Sequence, residues 1–216
     1  NTTKEHGKGY PTLKRILMAN QITQIRKETM TDSITQPRAN FTSFQESTKE
    51  DWELIMSQRG ALTDSLPARV LQQLELLRND YGGFPVDRLE HSVQTATRAE
   101  RDGRDDEYIV CALIHDVGDI LTPHNHPDLA AAILKPFVSE ANHWMVQHHG
   151  IFQGYYFWHY LGGDRNARDE FDGHEHYGHC EEFCSLYDAP AFDPSYKSNP
   201  LDHYVPLLED FFTANP

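Results

Sequence analysis

The chain is short of three things, and each shortage excludes a class of protein. Cysteine occurs three times in 216 residues, at Cys111, Cys180 and Cys184. A small odd number without regular spacing does not make a disulfide framework. Free thiols of this kind fit a reducing, cytoplasmic setting. Basic residues are scarce, since 19 Lys and Arg stand against 33 Asp and Glu for a net charge of -14. Nucleic-acid binding depends on Lys and Arg neutralising phosphates, so this composition argues against it. Finally, no apolar run approaches the ~20 residues needed to span a bilayer. What remains is a chain long enough to bury a full core.

The charge is unevenly placed. Residues 1–30 carry six basic and two acidic side chains, while the remainder carries 13 basic and 31 acidic. Residues 1–46, with Met30 as a candidate start, read as an N-terminal extension. Residues 47–216 read as one functional domain.

Apolar side chains in that domain recur at helical spacing, and no segment alternates with the two-residue period of a strand. The expectation is an all-α bundle. Ser47-Thr48-Lys49-Glu50 reads as a capping box. Thr63 or Asp64 caps a second helix with Pro67 in its first turn. A third runs from Pro85 to Asp102, and a fourth, capped by Asp105 or Asp106, enters the apolar run Tyr108–Ile114. Asn125 caps His126–Lys135, which Pro136 stops. Ser139 caps Glu140–His149, with Gly150 as its end. Asp164–Phe171, Glu175–Tyr187 and Leu201–Phe212 complete the series.

What is present in abundance is histidine, 13 residues in all. The most informative pair is His115-Asp116 in ALIHDVGD, at the end of the apolar run. Burying even a neutral polar group without a partner costs on the order of 2–7 kcal/mol, and a charge costs more. A metal ion satisfies an imidazole and a carboxylate together. Further candidate ligands are His91, His126, one of the His148-His149 pair, and Asp188. Asp116 has two oxygens and can serve two ions. Imidazole and carboxylate donors without thiolate suit iron, manganese, zinc or magnesium. Cys180 and Cys184, four apart, offer a weaker zinc alternative by spacing. Asp87 and Glu90 are candidates to orient the histidine ligands.

The order H…HD…H…H…D, with YGGFPVDRLEH before it and MVQHHGIFQGYYFWH after it, resembles the mixed-valence diiron oxygenases of the HD-domain superfamily. The likeness covers roughly residues 78–190 and implies an HD-type helical bundle. It implies that His91, His115, Asp116, His126, His149 and Asp188 bind two irons, one Fe2+ and one Fe3+, with Asp116 bridging. Dioxygen is the implied co-substrate, and the reaction is hydrogen abstraction from carbon, ending in hydroxylation or bond cleavage. Tyr81 matches a tyrosine that covers the iron until substrate arrives. The chain departs from the relatives at Phe84, where the phosphonate-cleaving enzymes have glutamate, and at Asp119, where the inositol enzymes have lysine. Asp119 therefore suggests a small polar substrate bearing an amine or ammonium group, with Tyr155 to Trp158 as a cation–π wall. The alternative is an HD-type metal-dependent phosphohydrolase, which needs cations for phosphate; the ligand region offers Lys135, Arg165 and Arg168. A non-catalytic scaffold is the third class.

Overall fold

The computed structural model describes residues 37–214, so Met30 and most of the expected extension lie outside the described residues. The chain divides into two compact units, with the boundary between Gly60 and Ala61. Every regular element among the described residues is helical. None of these helices is long and apolar enough to cross a membrane.

In the described part of the first unit, the Phe44 ring lies 5.9 Å from Phe41 and 5.7 Å from Trp52. Helix α1 (Lys49–Asp64) opens on a reciprocal capping box. The Thr48 backbone N–H donates to the Asp51 carboxylate at 2.9 Å, and the Asp51 N–H donates to the Thr48 hydroxyl at 3.3 Å. The box therefore begins at Thr48, one residue after the expected Ser47, and closes on Asp51 in place of Glu50.

The second unit holds the core. Helix α2 (Leu66–Glu75) buries Val70 and Leu74 and follows Ser65, so neither Thr63 nor Asp64 caps it. Helix α3 spans Arg88–Arg101, and its N-cap Asp87 accepts from the Glu90 N–H. Helix α4 (Asp106–Ile114) is the central element: all seven residues from Tyr108 to Ile114 are buried. A helix apolar on every side must be surrounded, and each fully buried large side chain contributes about 1.5–3 kcal/mol. The Asp105 carboxylate accepts from the Tyr108 N–H at 2.9 Å and starts this helix. Asp105→Ala is expected to cost about 1 kcal/mol, the usual value of such a cap; an unchanged denaturant midpoint would contradict it.

Helix α5 (His126–Leu134) packs on α6 (Glu140–Phe157). Here the structure corrects an expectation. Gly150 does not end α6, which runs on to Phe157. Its missing Cβ serves another purpose: a methyl group there would lie 3.3 Å from Pro127 Cγ. The glycine lets the start of α5 approach the middle of α6. Helix α7 (Tyr177–Phe183) is shorter than expected and continues as a wide π turn, Cys184–Asp188. The segment expected as a helix from Asp164 holds a 3-10 turn at Ala167–Phe171. Helix α8 (Leu201–Ala214) returns to the core with Tyr204, Leu208, Phe211 and Phe212.

Candidate metal centre

Six side chains from five stretches of the fold meet at one place. His91 lies in the first turn of α3, His115 caps the C-terminus of α4, and Asp116 follows it. His126 is the first residue of α5, His149 sits mid-way along α6, and Asp188 ends the π turn. All six had been singled out in the sequence. The mid-helix place of His149 removes the difficulty of opposite helix ends, because α5 meets α6 at its middle.

Two halves share Asp116. Its Oδ2 lies 3.3 Å from both His91 Nε2 and His115 Nε2. Its Oδ1 lies 3.1 Å from His126 Nε2 and 3.0 Å from His149 Nε2. Asp188 Oδ1 joins the first half, 3.2 Å from His91 Nε2 and 3.7 Å from His115 Nε2. The two nitrogens within each half are 3.2 Å apart, His91 to His115 and His126 to His149. Donor spacings near 3 Å are the edges of an octahedron around an ion about 2.1 Å from each donor.

The second ring nitrogens decide the tautomers. Nδ1 of His115 faces the Ala112 carbonyl at 2.8 Å, Nδ1 of His149 the Val146 carbonyl at 2.7 Å, and Nδ1 of His91 the Ala191 carbonyl at 3.2 Å. Nδ1 of His126 faces Asp119 Oδ1 at 3.1 Å. Each partner is an acceptor, so each Nδ1 carries the proton and donates it. Each Nε2 then presents a lone pair inward, as metal ligation requires.

Asp188 is fully buried, and its Oδ2 has no hydrogen-bond partner among the described residues. Gln153 supplies only one bond to this carboxylate, from Nε2 to Oδ1 at 2.7 Å. Burial alone would raise the Asp116 carboxyl, but the imidazoles of His115, His126 and His149 hold it well below the usual range. Asp188 is held low by His115 and His91 against the same burial. Burial likewise depresses His91 and His115, and the two carboxylates outweigh it and raise both. A proton bridges one pair of atoms at a time, whereas four nitrogens and three carboxylate oxygens converge here. The buried His/Asp groups have the donor type and spacing to hold metal ions.

Residues 88–182 match the HD domain family model. The HD-domain match runs from the start of α3 to near the end of α7 and contains five of the six converging side chains. Asp188 lies six residues beyond it. A search of curated proteins finds no match. The match covers less than half of the chain; an all-α fold and a potential for metal binding are what the sequence, the structure and this comparison share.

Several expectations change around the centre. Asp119 is not free to meet a cationic substrate: Oδ2 is ion-paired with Arg88 Nη1 and Oδ1 is taken by His126. Asp119 also has the spacing to be grouped with Asp116 and His126 as a metal ligand, but both its oxygens are engaged, so it is read as a support. The suggestion of an amine- or ammonium-bearing substrate loses its basis. Tyr81 is half exposed, in the turn before α3, while Phe84 lines the cavity at the centre. Asp87 caps α3 and Glu90 accepts from the Ser198 hydroxyl at 2.6 Å, so neither orients a ligand histidine. That task falls to three backbone carbonyls and Asp119. The aromatic wall is occupied internally, with Arg168 and Arg165 lying 3.9 and 4.2 Å from the Tyr155 ring centre. Of its four residues, Phe157 reaches the cavity lining. His148 turns away, its Nδ1 bonded to the Trp144 carbonyl. Cys180 and Cys184 give their thiols to the Met145 and His149 carbonyls.

Three residues escaped the sequence reading. Arg88 and Gln153 share helix faces with ligands, at i−3 from His91 and i+4 from His149, which is the signal that could have found them. Phe192 stacks on His91, ring centres 4.2 Å apart, and no periodicity announces it.

Gly118 sets the second half of the centre. A Cβ there would lie 2.8 Å from the His126 carbonyl oxygen and 3.1 Å from Leu129 Cβ. Gly118→Ala is expected to push the start of α5 outward at a cost of about 1–3 kcal/mol, the range for overpacking. A fall in denaturant midpoint together with weaker metal retention is the expected reading; wild-type values for both would contradict it.

Proposed function

We propose that this protein is a diiron oxygenase that uses dioxygen to attack a C–H bond of a small polar molecule, giving hydroxylation or oxidative bond cleavage. One observation carries the reading: the two oxygens of Asp116 face two different histidine pairs. A single-ion centre has no use for the second pair, and the scarcity of uncommitted cations at the cavity sets dioxygen chemistry ahead of a two-ion hydrolysis. The donors, four imidazoles and two carboxylates without thiolate, suit iron. An iron pair held there, Fe2+ and Fe3+, would supply one-electron chemistry with dioxygen.

The chain's own residues supply the rest. Phe84, Val86, Phe157 and Phe192 line a cavity of about 210 Å³ beside His91, Asp116 and His126. That is below the ~300–1,000 Å³ of drug-sized sites, which favours a small substrate. The apolar walls limit water at the reacting carbon, and Phe192 fixes the His91 ring by stacking. Gln153 holds Asp188 in place. Arg88, the one Lys or Arg among the described residues that lines this cavity, is already paired with Asp119 and, at 3.5 Å, with Asp80. Arg168 is paired with Glu181 at 3.1 Å. A phosphoester would find few uncommitted cations, which weakens the phosphohydrolase alternative.

The test is aerobic purification followed by iron analysis, EPR, and an oxygen-uptake screen of small polar compounds. Two irons per chain, a coupled ferrous–ferric signal and substrate-dependent uptake are expected. Zinc or magnesium with phosphatase activity would instead establish the hydrolase, and absence of bound metal the scaffold.

A further inference from the structure

We propose that Asp119, held by Arg88, decides whether the centre keeps one ion or two, by fixing the ring of His126. The inference rests on the six-donor reading above and concerns a positioning residue, not a ligand.

His126 differs from the other three histidines in two ways. Its side chain is 21% exposed, against 4% for His91 and 0% for His115 and His149. Its Nδ1 partner is a side chain, whereas the others bond to carbonyls of the helices and of residue 191. A half-open ring with a removable partner is the weakest mounted of the four.

The mounting itself is built in layers. Asp119 is tied to the turn that begins at His115-Asp116, the HD turn, its N–H donating to the Asp116 carbonyl at 3.0 Å. Its Oδ1 receives the His126 Nδ1 proton, which turns the Nε2 lone pair inward and strengthens it as a donor. Its Oδ2 is taken by Arg88, whose Nε reaches Asp80 at 3.5 Å. Arg88 thereby draws Asp119 away from the centre and keeps it from acting as a seventh ligand. The turn before α3 makes room for that guanidinium: a Cβ on Gly82 would lie 2.7 Å from Arg88 Nη2.

The consequence is asymmetric. Without the Asp119 carboxylate, His126 is free to turn toward solvent. The second half then retains only His149 and Asp116 Oδ1. The first half keeps His91, His115, Asp188 and Asp116 Oδ2, and none of these donor atoms is bonded to the Asp119 side chain.

The test loads wild-type, Asp119→Ala, Asp119→Asn and His126→Ala proteins with ferrous iron under anaerobic conditions. Ions per chain and the affinity of each are measured by chelator competition, and EPR after partial oxidation reports coupling. Asp119→Ala is expected to follow His126→Ala in kind but less far: the first ion retained, the second weakened 10–100-fold, the range for a partner of a ligand histidine, and the coupled signal reduced. Asp119→Asn has one acceptor oxygen for two donors, Nδ1 and Arg88; it is expected to weaken the second ion less than the alanine variant does and to leave the first unchanged. If the alanine variant does not fold, Asp119→Glu carries the same test, since its longer arm displaces the carboxylate; it is expected to weaken the second ion alone. Two ions at wild-type affinity in Asp119→Ala, or equal loss of both, would overturn the role of Asp119 alone. A wild type that binds a single ion would overturn the six-donor reading, and this inference with it.

Discussion

Asp116→Ala is expected to lose both ions, the largest effect of any single substitution at the centre. Among the described residues no other side chain faces both histidine pairs; one oxygen of Asp116 lies 3.3 Å from His91 and His115 and the other 3.0–3.1 Å from His149 and His126. Each half would be left with neutral imidazoles, plus Asp188 in the first. Affinity for each ion should fall by more than about 100-fold, the upper end for a residue that merely supports a ligand. Asp116→Asn separates charge from shape. An amide can offer its oxygen to one pair only, and its NH2 then faces the other pair, so occupancy should fall to about one ion per chain. Both variants should still fold, because the surrounding core is apolar and independent of the carboxylate: Leu113, Ile114, Met145, Phe152 and Phe183 are fully buried. Metal analysis and circular dichroism on the same samples check this. An Asp116→Ala protein with two tightly bound ions would refute the shared-carboxylate arrangement.

The converging residues were legible because their cost is local. A histidine and an aspartate at the end of a seven-residue apolar run announce an unpaired buried charge wherever the helix lies. The helices were legible for a similar reason, since caps such as Asp105 and Ser139 act within one turn of themselves. What could not be read is whatever depends on distant segments meeting. Gly150 looked like a helix stop because glycine favours the end of a helix; its actual use, making room for Pro127, needs two helices in place. Asp119 looked like a free anion because its partner Arg88 is 31 positions away and faces it only after α3 and the HD turn pack together. Local chemistry thus marked His115 and Asp116, and the family resemblance completed the set of six, while the charge balance of the cavity, and with it the substrate preference, was a tertiary property.

Metal removal is expected to reverse the pH dependence of stability, the second large effect. In the metal-free protein, Asp116 and Asp188 are held below the ordinary carboxylate range, while His91 and His115 are held above the ordinary imidazole range. The depressed carboxylates contribute stability that is present above their unfolded value of about 4 and lost as pH falls through the folded values. The raised imidazoles contribute stability that is complete below about 6.5 and lost as pH rises through the folded values. Both contributions are full only between these limits, so the metal-free form should be most stable near pH 5–6 and weaken toward pH 8–9. Bound metal has the opposite slope, because protons compete with it for the same Nε2 lone pairs. At a free ion concentration 1,000 times the Kd, binding adds about 4 kcal/mol, or roughly 8–16 °C in Tm for a chain of this size. The gap between loaded and chelator-treated protein should therefore be small at pH 5 and widest near pH 8. Thermal denaturation of both forms across that range measures it directly. Parallel profiles would mean that the four imidazoles are held together by something other than a cation, and that the buried carboxylates have found partners outside the cluster.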